Sequence, residues 1–340
     1  MSQIAVDLDP QKMIDTFGDK YRSGIIKRED IIFPLYAQSK FDEGFTTITI
    51  DETQKDSVIV DLKDARFQQF SEEFLELGGM DFTPNEIKIY EIMLDTAQTP
   101  DKIRKTALQF LLKKDNLDRS QSPILAIFLE AYLTASLYNL HKKEAFKGKE
   151  APKQYDAQGK LMSSPVGGLM DGFGTYLRKL TSNPSTSIKK PSVIPGFMTM
   201  PTTPVEHVEF IEDMYDMLDD EMKDNIDCFM VSRTFEEQYL IGKDIKYNSY
   251  YAKTGVDNKL HLRNGRVNGS IDQNGTNLVW FTTKVNAIKL ISNFGNVGNW
   301  KVGLKDLKKV QATSDYGLGY GLLDPSRSMH NGNYTGLPAL

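Results

Sequence analysis

In 340 residues the chain has one cysteine, Cys228, and four histidines, His141, His207, His261 and His330, far apart in sequence. A single thiol excludes an intramolecular disulfide. It lies inside the apolar run Cys228-Phe229-Met230-Val231, where a buried, inert thiol is expected and not a nucleophile. No histidine pairs with another, or with the cysteine, at ligand spacing, so no zinc site is expected. Basic excess is absent too: 41 Lys and Arg face 46 Asp and Glu, a formal net charge of -5. That balance argues against a dedicated DNA- or RNA-binding surface. Met1–Pro10 is acidic and has no apolar core, so no signal peptide is expected. The longest apolar run, 123–140, approaches the ~20 residues a bilayer demands. Glu130 stands at its centre, however, and a mid-membrane carboxylate costs roughly 2.5 kcal/mol or more. A buried helix is expected there, and no membrane partner.

Motifs of catalysis and phosphate binding are equally scarce. Gly317-Leu318-Gly319-Tyr320-Gly321 lacks the strand-then-helix setting of a nucleotide fingerprint and is followed by no Lys-Ser/Thr. Gly167–Gly174 precedes a possible helix, but its glycine spacing matches no phosphate loop. Asp216, Asp219, Asp220 and Glu221 belong to a solvated helical face, with no loop glycine to shape a calcium site. No nucleophile stands beside a matched acid and base. Catalytic, cofactor-binding and metal-binding residues are therefore assigned to none of the chain, and no cofactor is expected.

What is present is clearest at 203–242, a helix, a strand and a second helix. Thr203 is placed to cap the first helix, Pro204 suits its first turn and Glu206 completes a capping box. Val205, Val208, Ile211, Tyr215, Leu218 and Met222 form one apolar stripe. Glu209, Glu212, Asp213, Asp216 and Asp220 occupy the opposite, solvated face. The Cys228–Val231 run is apolar throughout, as a strand covered on both faces would be. Thr234, with Glu237 three residues on, starts the second helix, and Gly242 is expected to stop it.

Elsewhere the texture varies. Residues 1–30 are charged and weakly patterned. Ile31–Tyr36 is extended by composition, and Phe45–Ile50 with Ser57–Leu62 gives a hairpin signal. A two-stranded ribbon alone is marginal in water, so it should lie on its own domain or on a neighbouring subunit. Residues 66–147 read as helical, with runs opening at Thr83-Pro84, through Ile103 to Leu111, and from Pro123. An exposed loop carries Lys147, Lys149 and Lys153. Residues 181–201 are too rich in Ser, Thr and Pro for a regular element. Turns are expected at Asn264-Gly265, Asn268-Gly269 and Asn274-Gly275. Strands follow at Leu278–Phe281, Asn286–Ile291 and Trp300–Leu304, and the tail from Gly317 reads as irregular.

Three segments carry a resemblance. They are Ala131–Phe146 followed by Gly167-Gly168-Leu169-Met170-Asp171-Gly172-Phe173; Met214–Leu218 through Asp227–Ser232 and Phe235–Tyr239; and Asn277–Thr283 with Asn286–Ile288. With the order of elements, they resemble the major capsid proteins of tailed bacteriophages, the Hong Kong 97-like capsid fold. The resemblance implies an α+β fold with an N-terminal arm at 1–30, an extended hairpin loop at 31–65 and a peripheral domain with helices and a crossing loop at 66–200. An axial domain at 201–275 and a β-rich return with C-terminal tail at 276–340 complete it. It further implies a major capsid protein, with no enzyme activity, that self-assembles as pentamers and hexamers into an icosahedral shell around double-stranded DNA. Scaffold, portal and decoration proteins would be its further partners, and packaged DNA would be touched non-specifically if at all. Its place would be the virion, after assembly in the host bacterial cytoplasm. The rival readings are a minor capsid or decoration protein, an α+β enzyme, and a cellular nanocompartment shell.

Overall fold

A computed structural model of the chain describes residues 41–50, 54–63, 79–98, 124–159, 162–183, 185, 188–251, 257–283, 285–292, 301–305 and 309–340. The arm at 1–30, the extended run at 31–36 and the helical run through Ile103 lie outside them. The chain divides into two compact units, one formed by 1–38, 91–140 and 292–317, the other by 39–90, 141–291 and 318–340.

In the larger unit, the 203–242 segment folds largely as its pattern predicts. Helix α3 (Pro204–Asp216) carries the full capping box, with Thr203 accepting from the Glu206 amide and Glu206 reaching back to the Thr203 amide. Strand β6 (Ile226–Ser232) is an interior strand of a five-stranded sheet, paired on both edges. It runs parallel to β7 (Arg266–Ser270) and antiparallel to β8 (Trp280–Thr283). Next come β12 (Ser328–His330) and β5 (Ser192–Val193) at the far edge. Phe229, Val231, Val267 and Phe281 of this sheet share one core with Val208, Ile211, Met214 and Tyr215 of α3. Beyond the helix end at Ser182, the described residues of the proline-rich 181–201 segment contribute only the two residues of β5.

Four details depart from the sequence pattern. Helix α3 stops at Asp216, and Asp219 in extended conformation restarts the chain as α4 (Asp220–Asn225). The apolar stripe survives the break because Leu218 and Met222 still pack on the same core. Glu212 is not solvated but 5% exposed. It accepts from Tyr247 Oη at 2.9 Å, lies 3.3 Å from Lys246 Nζ and 3.6 Å from Arg263, so partners on neighbouring elements compensate its burial. Helix α5 (Arg233–Tyr251) starts before Thr234, capped by Ser232 Oγ accepting from the Phe235 amide at 3.3 Å. It also runs straight through Gly242. A Cβ there would lie 1.8 Å from the Pro204 carbonyl oxygen, so this glycine serves the crossing of α5 over the start of α3.

Of the three Asn-Gly pairs, two are turns, with Gly265 and Gly275 at φ of +94° and +81°. Gly269 instead sits within β7, where a Cβ would be 2.5 Å from Glu236 Cβ of the helix above.

The expected hairpin is paired differently. Strand β1 (Thr46–Ile50) joins a second sheet beside β9 (Ala287–Ser292), which pairs with β11 (Lys309–Leu322). The ribbon itself is β2 (Gln54–Lys63) with β3 (Gly79–Lys88), in register from Gln54 opposite Lys88 to Lys63 opposite Gly79. The run opening at Thr83-Pro84 is therefore strand and not helix, and it continues as β4 (Tyr90–Gln98). Its burial has a period of two, with Asn85, Ile87 and Ile89 buried and Glu86 and Lys88 exposed. Apolar residues at 87, 90 and 94 fit a helical spacing equally well.

The tail is irregular only in part: 331–340 form no regular element, but its beginning is strand. β11 runs through Gly317 to Leu322, and Gly319 and Gly321 lie two apart, on one face. A Cβ on Gly319 would be 2.4 Å from the Lys88 carbonyl oxygen, and one on Gly321 2.6 Å from Ile87. The glycines let the root of β3 cross the strand closely.

In the smaller unit, β10 (Lys301–Lys305) pairs antiparallel with the first half of β11, and β4 also pairs with β11. Helix α1 (Ile124–Leu140) forms where the apolar run predicts. From Tyr132 onward only Leu133 and Leu140 are fully buried, less than a buried helix implies. Among the described residues no helix is long and apolar enough to cross a membrane.

Candidate functional site

The functional candidate is an element, not a pocket: the β2–β3 ribbon and the root that holds it. Ten residue pairs extend it over about 33 Å at the usual rise of a strand. Among the described residues no third strand joins either edge.

The root is heavily tied to the larger unit. Asn85 Nδ2 donates to the carbonyl oxygens of Leu322 and Leu323, at 2.7 and 3.1 Å. Ile87 and Ile89 pack on Ile288 and Leu290. Lys88 Nζ reaches Glu150 at 2.7 Å. Tyr90 Oη donates to Asp171 Oδ2 at 2.8 Å, and the same carboxylate accepts from Lys179 Nζ at 2.5 Å and the Glu150 amide at 3.1 Å. Burial alone would raise the Asp171 pKa, but the bonds from Lys179 and Tyr90 win and hold it below its ordinary value. Burial and that same bond push the Tyr90 phenol far up, so it stays a donor. Asp171→Ala leaves a half-buried phenol and an amide unmatched. It should cost about 2 kcal/mol in denaturant titrations above pH 4. A depressed carboxyl contributes above its unfolded pKa of 3.8 and loses its contribution as pH falls through the lower folded value. The difference between wild type and variant should therefore shrink only in strong acid.

The glycine-rich segment before α2 (Phe173–Ser182) supports this buttress. Its backbone amides do bind an anion, but the anion is the chain's own. Glu144 accepts from Gly167 N at 2.6 Å and Leu169 N at 3.2 Å. Burial still raises that carboxyl above its ordinary value. A Cβ on Gly172 would be 2.4 Å from the Glu144 carbonyl oxygen, so the two backbones touch there. Phe173 is fully buried, with its ring 4.4 Å from Trp280 and 5.0 Å from Phe45. Asp171, Gly172 and Phe173 thus act together as a joint between segments.

Asp42, just ahead of β1, accepts from Lys289 Nζ at 2.5 Å and Tyr320 Oη at 3.0 Å. His141 Nε2 stands 3.7 Å from the same carboxylate, and burial lowers the imidazole pKa.

His330 is also interior. Its Nδ1 accepts from the Gly332 amide at 3.0 Å, which leaves the proton on Nε2, facing Thr181 Oγ1 at 3.0 Å. Burial lowers its pKa from 6.5 to about 4. A depressed group stabilises the fold above the unfolded pKa, and that contribution fades as pH falls from 6.5 through 4. Wild type should lose about 3 kcal/mol over that window by linkage, and His330→Asn should lack the step in denaturant titrations at pH 7 and pH 4.

The remaining residues singled out from sequence do not converge. His207 packs against Phe235, and His261 stacks on Tyr247. Burial pushes the Cys228 thiol up to about 12, which removes its nucleophilic form. It lines a shallow cavity of about 140 Å³ with Glu43, Asp227, Met230 and Trp280. Asp216, Asp219, Asp220 and Glu221 are exposed, although Asp219 lies between two helices and not on a helical face. Lys147 and Lys149 are half-buried and not simply solvated, donating to the carbonyl oxygens of Asn274 and Ala339. The ribbon's true partner strand was missed in the sequence, although the alternation at 85–89 signals it.

No family model and no curated protein matches the chain in sequence. Among solved structures it is similar to a chain in the capsid of an empty GTA particle, with a TM-score of 0.51 and 12% identity, over 92% of this chain and 96% of that one. Against the capsid of a native GTA particle the TM-score is 0.50 and the identity 11%, over 88% and 95%. The chain has a capsid-protein fold. The α+β capsid class expected from sequence is thus the one observed. The capsid of Myoviridae phage XM1 is also similar, at 10% identity over 92% and 96%, with a TM-score of 0.49. Within this capsid fold, the ribbon and its root belong to one chain and its free edges to none of the described strands.

Proposed function

We propose that the chain is the major capsid protein of a tailed phage, a structural subunit and not an enzyme. Copies of it close as pentamers and hexamers into an icosahedral shell around double-stranded DNA, in the virion. The observation that carries this reading is the β2–β3 ribbon, anchored at one end and joined along neither edge by another described strand. Two strands alone in water are marginal, and an open edge is a template for pairing. Laid across a neighbouring copy, the ribbon gains both apolar cover and hydrogen-bond partners. Permanent interfaces of this kind bury ~2,000–5,000 Å². Mild net acidity suits a container wall, because an interior rich in Lys and Arg would hold the packaged genome fast. Assembly in the host cytoplasm with scaffold, portal and decoration proteins belongs to the same reading.

The test is expression of the full chain, alone and with its genomic neighbours, followed by sedimentation and negative-stain microscopy. Closed shells, tubes or capsomer rings are expected. A small species that only coats preformed shells would make it a decoration protein.

A further inference from the structure

A basic groove and an acidic helical face lie on the same unit, and we propose that they meet between adjacent copies around a capsomer ring. The inference rests on the shell reading above and assigns the surfaces that close the ring.

The groove, of about 770 Å³, is lined by Lys142, Lys143, Lys147 and Lys149 together with Val166 and Leu337. Lys142 and Lys143 are exposed. Lys147 and Lys149 turn their ammonium groups to the backbone carbonyls of Asn274 and Ala339, which fixes their positions without cancelling their charge. Burial lowers the Lys147 pKa, with Lys142 adding repulsion and Asp272 opposing both. An anionic occupant relieves that repulsion.

The acidic face is the segment 204–227, which holds ten carboxylates and one lysine. Nine of the ten are exposed, Glu212 being the exception. Asp213, Asp219, Glu221 and Asp224 take part in no ion pair among the described residues. Helix α3, which carries Asp213, is held on the core by its capping box and apolar stripe, and Leu218 and Met222 pin the α4 segment with Asp219, Glu221 and Asp224 to the same core.

Two different, complementary patches on one chain make a heterologous, head-to-tail contact, and such contacts generate rings when the rotation closes. That is the symmetry a pentamer or hexamer needs. A nucleic-acid phosphate chain would also suit four lysines. The second copy is favoured because the chain itself carries the matching acidic surface, while its net charge of -5 repels a polyanion.

The experiment compares four full-length chains: wild type, Lys142→Glu with Lys143→Glu, Asp213→Lys with Glu221→Lys, and all four changes together. All four positions are exposed, and circular dichroism with thermal unfolding checks that each chain folds. Like charges brought face to face across an interface repel, so each pair of changes should lower the assembled fraction in sedimentation velocity by about tenfold or more. The fourfold chain, in which the charges are exchanged, should assemble again. Wild-type assembly should also weaken as salt rises toward 1 M, a readout that needs no variant. Normal assembly of either charge-reversed chain overturns the inference and leaves the shell reading intact. So does failure of the fourfold chain to recover, or a lysine variant that assembles but no longer retains DNA. A wild-type chain that never assembles overturns the shell reading and this inference with it.

Discussion

A chain in which residues 58–84 are replaced by an Asn-Gly turn folds as a monomer and forms no shells. Ser57 and Asn85 face each other in the ladder, so a two-residue turn can close them without shifting the register. Everything that ties the root survives: the Asn85 bonds to Leu322 and Leu323, the Ile87 and Ile89 contacts, and the Tyr90–Asp171 bond. The described residues removed, 58–63 and 79–84, form a ladder that no third described strand supports, and a lone two-stranded ribbon contributes little to stability. Thermal unfolding should therefore shift by no more than a few degrees, while sedimentation shows complete loss of assembled species. Shells of normal yield from the shortened chain would mean that the ribbon is decoration.

The largest stability effect is expected at Gly242. In an ordinary helix interior, Gly→Ala gains about 1 kcal/mol of propensity. Here the added Cβ would stand 1.8 Å from the Pro204 carbonyl oxygen and 3.0 Å from the Val205 amide nitrogen, both of them backbone. No side chain can rotate away, so α5 and α3 must separate across the core they share. Overpacking of this kind costs typically 1–3 kcal/mol and more where backbone must move. The clash wins over propensity, and Gly242→Ala should lower stability by about 3 kcal/mol or more in denaturant titrations. The ordering is informative: Gly275, whose φ of +81° comes with nothing within 4 Å of its Cβ, should suffer only from backbone strain when changed to Ala.

These two cases show where the chain's structure was readable in advance and where it was not. The capping box at Thr203 and Glu206 is a purely local signal, and it appears as read. The all-apolar run at 228–231 marks a strand covered on both faces, and β6 is an interior strand whose residues 228–232 are all buried. Long-range pairing was less legible. Phe45–Ile50 and Ser57–Leu62 both look like strands, and nothing local says that one pairs with β9 and the other with a segment beyond residue 78. Gly242 resembles a helix stop because the signal for a stop and the requirement for close helix crossing are the same missing Cβ. Gly319 and Gly321 read as a loose tail for the same reason, although they admit the root of β3. Glu212 looked solvated because its partners, Tyr247, Lys246 and Arg263, are supplied by elements more than thirty residues away. The Asp171-Gly172-Phe173 joint was visible as a family-like segment, but its roles in holding Tyr90, admitting a backbone and filling an aromatic cluster needed coordinates.

The most direct measurement is electron cryo-microscopy of particles formed by the full-length chain. The prediction is a closed shell in which each β2–β3 ladder lies along a sister copy, with its outer edge covered. Monodisperse single chains at high concentration, with the ladder folded onto their own body, would contradict it.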